Sequence, residues 1–279
     1  KKEPKDPSAY LNRGAAYLFL KDTTKALADY NQAIRIDRYE PEGYIRRARI
    51  YSDRKEYSKA VEDLDMAIRL DSTSTFAFFN RALINFELKN YISAMSDFDI
   101  VLQQDPGNAL TLYNRSLIYA QVGEYDKAIE DMDRVININP DNVLAHYNRA
   151  AVFVEMNRLD DALEDYNKAI ELYPDFAKAY LNRSYVENML GRQRESRADY
   201  LIAQQKVKEY REKSSETSFA DTTRRYNSLI ALDADFAKKN FDNELLQHRD
   251  IDIKLQPLYR FTLSKAKEEK RSVIESKYE

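Results

Sequence analysis

Two kinds of side chain recur in this sequence at positions where chemistry could be done. In the segment LYNRSLIYAQVGEYDKAIEDMDRVI (112–136), helical spacing places Thr111, Ile118 and Val122 on one apolar stripe, with Arg115 in its middle. A guanidinium on a buried stripe needs an acidic partner, because an isolated buried charge is very costly. Arginine recurs at Arg13, Arg47, Arg81, Arg149 and Arg183, and sixteen residues after each lies an aspartate: Asp29, Asp63, Asp97, Asp131, Asp165 and Asp199. Such pairs could form a strip that captures carboxylates, or they could bind each other. Keeping opposite charges at both places in every copy argues that the two sites meet, either within one copy or between neighbours. Arginine suits that role because it stays charged and grips a carboxylate with two parallel hydrogen bonds. We read the pairs as a repeated buttress between helices.

The second kind is asparagine, at Asn12, Asn80, Asn114, Asn148 and Asn182, interrupted once by Arg46. A carboxamide carries a donor and an acceptor and can clasp a peptide unit through its N–H and C=O together. Helical spacing puts Leu110, Tyr113, Asn114, Leu117 and Ala120 on one face, away from the arginine. The corresponding faces elsewhere carry Phe76, Phe79, Asn80, Leu83 and Phe86, and Leu144, Tyr147, Asn148, Ala151 and Val154. A row of amides flanked by aromatics is suited to an extended peptide, and contiguous exposed apolar surface usually marks interaction sites. The alternative is that each asparagine bonds the neighbouring copy; the two readings are compatible. The expected peptide-binding residues are Asn80, Asn114, Asn148, Asn182, Phe79, Tyr113, Tyr147, Leu83, Leu117 and Phe86.

The elements that position these residues repeat. AYLNRGAAY, GYIRRARIY, AFFNRALIN, TLYNRSLIY, AHYNRAAVF and AYLNRSYVE follow one another at a constant step of 34 residues, from 9–17 to 179–187. The second halves recur as KALADYNQAI, KAVEDLDMAI, SAMSDFDIVL, KAIEDMDRVI, DALEDYNKAI and, more loosely, ESRADYLIAQ. This period marks a solenoid of helix–turn–helix units. The units resemble tetratricopeptide (TPR) repeats at Tyr119, Gly123, Ala128, Val135 and Pro140, and at the matching Tyr17, Ala26, Tyr51, Ala60, Ala94, Phe153, Ala162 and Pro174. The sixth unit departs, with Glu187 and Ser196 where an aromatic and an alanine are usual. The resemblance implies an all-α, right-handed superhelix whose concave wall is made by the first helices. It also implies a non-enzymatic scaffold that binds a protein or peptide segment. The carboxylate-clamp subclass needs Lys and Arg alternating with Asn along that wall; only Arg46, Arg49 and Lys178 are candidates, so that activity is not carried over.

The expected layout is 1–6 as the end of a preceding repeat, Pro4 standing in the register of a terminal proline, then six units, 7–40, 41–74, 75–108, 109–142, 143–176 and 177–210. A linker and capping helix follow in 211–240, where Phe219, Tyr226, Leu229 and Ile230 have amphipathic spacing. Ile251, Ile253 and Leu255, then Tyr259, Phe261 and Leu263, alternate with polar residues as strands do, ahead of a charged end in 241–279. Such strands need a partner. A rival reading is therefore self-assembly, with the tail joining copies into a homo-oligomer or filling the groove.

Composition bounds the rest. Acids and bases nearly cancel at a formal −3, so nucleic acid is not expected as a partner. No apolar run of about 18 residues is present, so no membrane span is expected. With no cysteine there is neither a disulfide nor a thiolate nucleophile. His146 and His248 are isolated, and His146 takes an aromatic packing position, which predicts a core histidine. No phosphate loop, dinucleotide fingerprint or zinc-type His pair occurs, so no cofactor, metal or catalytic residue is expected. The repeat-plus-tail layout resembles bacterial TPR proteins with a leader peptide, and the Asp-Thr-Thr and Asp-Ser-Thr triplets at 22–24 and 71–73 resemble extracytoplasmic O-glycosylation acceptors. A periplasmic or surface setting is one alternative, and the cytoplasm the other.

Overall fold

The computed structural model describes residues 6–213, and the secondary structure there is entirely helical. The expected linker, cap and strand-like segments in 214–279, like the preceding-repeat remnant in 1–5, lie outside the described residues. Six first helices of 13 residues alternate with second helices. The first helices are α1 (Pro7–Phe19), α3 (Pro41–Asp53), α5 (Thr75–Glu87), α7 (Ala109–Gln121), α9 (Val143–Glu155) and α11 (Ala177–Met189). The second helices are α2 (Thr23–Ile36), α4 (Tyr57–Leu70), α6 (Tyr91–Gln104), α8 (Tyr125–Ile138), α10 (Leu159–Leu172) and the longer α12 (Gln193–Lys213).

Local chemistry sets the boundaries. Side-chain oxygens of Asp6, Asp22, Ser74, Asn108 and Asn142 accept from backbone N–H groups in the first turns of α1, α2, α5, α7 and α9. Each turn between the helices of a pair passes through one residue with positive φ: Lys21, Lys55, Lys89, Gly123, Asn157 and Gly191. Only at Gly123 and Gly191 does glycine make that conformation free of steric cost.

Each first helix packs on its own second helix, and each second helix packs on the first helix of the next unit. Where the paired helices cross, Ala26, Ala60, Ala94, Ala128 and Ala162 are fully buried. In the first unit the approach is closer still: a Cβ on Gly14 would stand 2.4 Å from the Tyr30 ring. Tyr30, Leu64, Phe98, Met132 and Tyr166 on the second helices fill the space toward the next unit. This is the α-solenoid that the 34-residue period predicts. The opening stripe is buried at Thr111 and Ile118 but not at Val122, which lies half exposed just past the end of α7.

The arginines meet the aspartates within their own unit. Arg115 Nε donates to Asp131 Oδ2 at 2.7 Å and Nη2 to Oδ1 at 2.7 Å. The same fork joins Arg13 to Asp29, Arg47 to Asp63, Arg81 to Asp97, Arg149 to Asp165 and Arg183 to Asp199. The third nitrogen reaches back to the preceding unit: Arg115 Nη1 donates to Asp99 at 2.7 Å, Arg47 to Asn31, Arg81 to Asp65, Arg149 to Asp133 and Arg183 to Asn167. These second acceptors sit two residues after the aspartates, in DYN, DLD, DFD, DMD and DYN. That D-x-[D/N] pattern was visible in the sequence but carried no signal while the inter-unit bond was unknown. The Asp131 bonds raise the already high pKa of Arg115, against burial, which works to lower it.

The sixth unit handles its departures unevenly. Ser196 replaces the alanine of the helix crossing and is satisfied by Ser184, whose Oγ donates to the Ser196 carbonyl at 2.7 Å. Glu187 does not fare so well: it is 9% exposed and its Oε2 has no partner among the described residues. Burial, followed by the nearby Asp199 charge, raises its pKa. A carboxyl raised in the fold holds its proton to higher pH than the unfolded chain does. Stability therefore falls as pH rises from the ordinary glutamate value through the raised one.

Three outcomes follow for stability. Arg115→Met leaves two carboxylates facing each other without their cation and should cost roughly 3 kcal/mol or more by chemical denaturation. Arg13→Met should cost less, because that side chain is 54% exposed against 16% for Arg115. Glu187→Tyr restores the aromatic of Tyr17, Tyr51 and Tyr119. It should stabilise by about 1 kcal/mol or more at neutral pH, with a smaller gain at pH 4, where the native carboxyl is neutral.

Candidate peptide-binding wall

The wall is built by one face of successive first helices, whose opposite face is held by the arginine forks. The structure gives each asparagine a definite partner. Asn80 Nδ2 donates to the Phe76 carbonyl at 2.8 Å and Asn114 Nδ2 to the Leu110 carbonyl at 2.7 Å, both one turn back in their own helix. Asn148 Nδ2 donates to the Tyr113 hydroxyl of the preceding unit at 2.7 Å. Asn182 Nδ2 donates to the Tyr147 hydroxyl at 3.0 Å and the Tyr166 hydroxyl at 3.3 Å. Two expected pairs of wall residues are thus brought together, Tyr113 with Asn148 and Tyr147 with Asn182. Repeat-to-repeat bonding holds for these two asparagines and not for Asn80 or Asn114. All four amides are oriented through nitrogen, and no described residue donates to their Oδ1 atoms.

The apolar residues are distributed unequally. Phe79 is 5% exposed, its ring 5.7 Å from that of Phe98, so it packs the helix pair rather than lining open surface. Tyr147 is half-buried against Phe176 and Tyr166, with ring centroids 4.7 and 5.8 Å away. Tyr113 is half-buried between the clusters around Leu112 and Leu144. Leu83 and Leu117 are half-buried, Leu117 against the cluster of Met132 and Val152, and Phe86 lies 6.0 Å from the Tyr91 ring. Arg46, which interrupts the row, is buried: it donates to Glu42 at 2.6 Å and to the Leu11 carbonyl of the preceding unit at 3.3 Å. It is a connector between units. Burial pushes the neighbouring Tyr30 hydroxyl up to about 12.

His146 is buried as its aromatic register predicts. It makes polar contacts at both ring nitrogens, Nδ1 with Asp165 at 2.9 Å and Nε2 with the Pro140 carbonyl at 3.0 Å. Burial works to raise the Asp165 carboxyl, but hydrogen bonds from Arg149 and then His146 outweigh it and hold it below the usual aspartate range. Among the described residues, no group of three or more His, Cys, Asp or Glu side chains could hold a metal ion, and no helix is long and apolar enough to cross a membrane.

Family comparison matches this architecture. A profile described as "Tetratricopeptide repeat" covers residues 7–39 and 143–176, a second so described covers 41–74, and one described as "TPR repeat" covers 117–156. The chain contains tetratricopeptide repeats. No curated protein matches it. Among solved structures, a TPR protein from Parabacteroides merdae shares 19% identity, with a TM-score of 0.64 over 88% of this chain and 97% of that one. Pseudomonas aeruginosa pilF shares 17% identity, with a TM-score of 0.62 over 75% of this chain and 97% of that one. YrrB, described as "a TPR protein with an unusual peptide-binding site", shares 20% identity, with a TM-score of 0.55 over 61% of this chain and 88% of that one. These likenesses establish the fold. The TPR repeats make the chain a protein-interaction scaffold.

The Asp165 shift has a checkable sign. The stability it contributes is present above the ordinary aspartate value and is lost as pH falls through the depressed one. Carboxyl-detected NMR titration should find Asp165 below the usual aspartate range, and Arg149→Met should move it upward.

Proposed function

We propose that this scaffold is non-enzymatic and binds an extended peptide or protein segment along the wall of first helices. The supporting observation is the state of the four asparagines: each amide nitrogen donates to a described residue, and no described residue donates to the oxygen, which is held as an oriented acceptor. A ligand's backbone N–H groups would meet the Oδ1 atoms of Asn80, Asn114, Asn148 and Asn182 with little reorganisation, which favours binding. The half-buried Tyr113, Tyr147, Leu83, Leu117 and Phe86 would supply apolar contact, with Phe79 supporting them from beneath. The peptide-binding description of YrrB, though it belongs to that protein, is consistent with such a use of the fold.

Asn114 offers the cleanest test because it makes no bond to another unit. Asn114→Ala should leave stability nearly unchanged, whereas Asn148→Ala should lose about 1 kcal/mol with the Tyr113 bond. A peptide-display selection on the full chain should enrich ligands whose affinity falls about tenfold in Asn114→Ala, as expected for one lost hydrogen bond. Enriched ligands that bind Asn114→Ala and Asn80→Ala undiminished would remove the asparagine row from the site.

A further inference from the structure

One second helix, α6, differs from the others in charge. Its only charged residues are Asp97 and Asp99, and both are held by fork arginines, Arg81 and Arg115. The other second helices carry further charges in registers that α6 fills with neutral residues. Ser93 stands where they have Lys25, Lys59, Lys127, Asp161 and Glu195, and Ser96 stands where three of them have Glu62, Glu130 and Glu164. Ile92 stands where α8 and α10 have Asp126 and Asp160. Exposed apolar residues collect in the same part of the array. Within 41–176, the four interior units, the large hydrophobic side chains left exposed are Leu88, Ile92 and Val122, and Ile92 is 90% exposed.

Ile92 and Val122 border one groove of about 610 Å³, formed by α6 and the end of α7. Met95, Ile100, Ile118 and Tyr119 also line it. The charged residues that reach the groove are already paired: Asp99 with Arg115, and Glu124 with Lys127 at 3.3 Å. A charged ligand would meet no free counter-charge there, and burying it would be costly. A fitting occupant brings a protruding aliphatic group on an uncharged surface.

The patch itself meets both requirements. In a two-fold contact a surface meets its own copy, so a charge near the axis is brought close to the same charge. On α6 the only charges are those held in forks. Its protruding side chain, Ile92, stands beside the groove that a facing copy would fill. We propose that α6 and this groove form a two-fold interface between two copies of the chain, each Ile92 entering the groove of the other. The helix is about 21 Å long, which limits the contact to the low end of specific interfaces, about 1,200 Å² in total. A dissociation constant on the order of 10 μM is therefore expected.

Sedimentation of the full chain on either side of about 10 μM should show a monomer–dimer equilibrium. Ile92→Asp gives α6 the residue that α8 and α10 carry in that register, in the first turn, where an acid is favourable, so the fold is kept. It should weaken the dimer about a hundredfold, because the contact loses two buried side chains at once. Val122→Arg, which copies Arg54 of the second unit, should weaken it comparably. Tyr39→Asp, at an exposed aromatic of the first unit, should leave it unchanged. A monomer at every concentration up to about 200 μM would overturn the proposal. So would a dimer that Ile92→Asp and Val122→Arg leave intact, which assigns association to another surface. Equal weakening by Tyr39→Asp would overturn it too, by marking the contact as nonspecific.

Discussion

A guanidinium with three engaged nitrogens connects two helices of one unit to the second helix of the unit before it. Arg115 makes this visible: two bonds to Asp131 set the pairing inside the hairpin, and the third, to Asp99, sets how that hairpin meets its predecessor. Replacing such a cluster with well-packed apolar residues need not weaken a protein, because removing charges from water is itself costly. Its role here is better understood as register. Apolar helix faces slide over one another with small changes in energy, whereas a planar fork matched to three oxygens is satisfied in one arrangement only. In a solenoid whose stability is a sum over nearest neighbours, that arrangement must be specified at every junction. It is, from the first unit to the last.

The wall of first helices inherits its order from these forks. With one face of each first helix tied down, the opposite face is fixed in direction, and the asparagines lie on it. Their amide nitrogens donate locally, to a carbonyl one turn back at Asn80 and Asn114 and to a tyrosine hydroxyl at Asn148 and Asn182. The second arrangement also joins neighbouring first helices, so the same side chain orients an acceptor and couples two units. Arg46 joins two units in the same way through the Leu11 carbonyl, at the one place where asparagine is absent. Such bonds join the first helices of units one and two, four and five, and five and six.

Where a unit departs from the pattern, the physical consequence depends on whether polar atoms find partners. Ser184 and Ser196 can bond each other at the crossing of α11 and α12. Glu187, at a position that four of the other five units fill with tyrosine or phenylalanine, leaves an oxygen without a partner among the described residues. His146 replaces an aromatic in the fifth unit and is accommodated because Asp165 and the Pro140 carbonyl stand where its nitrogens need them. The difference between these cases lies in the neighbours and not in the substituted residue.

The amino-acid sequence by itself determined the period, the helical hairpin and that the recurring arginines and aspartates meet. These follow from periodicity and from charge kept at matched positions, both of which are properties of one dimension. It also indicated which face of a first helix the arginine occupies and which the asparagine. Only the tertiary structure decided that the fork closes within a unit while a third bond crosses to the one before. It also decided that Phe79 is sealed against Phe98 while Tyr147 is only half covered, and that Asn148 reaches a tyrosine while Asn114 turns back on its own helix. Helical spacing tells which residues share a face, but distance and direction between faces arise only when helices pack. Hydrogen-bond partners are chosen at that scale, where an ångström separates a bonded amide from an open one.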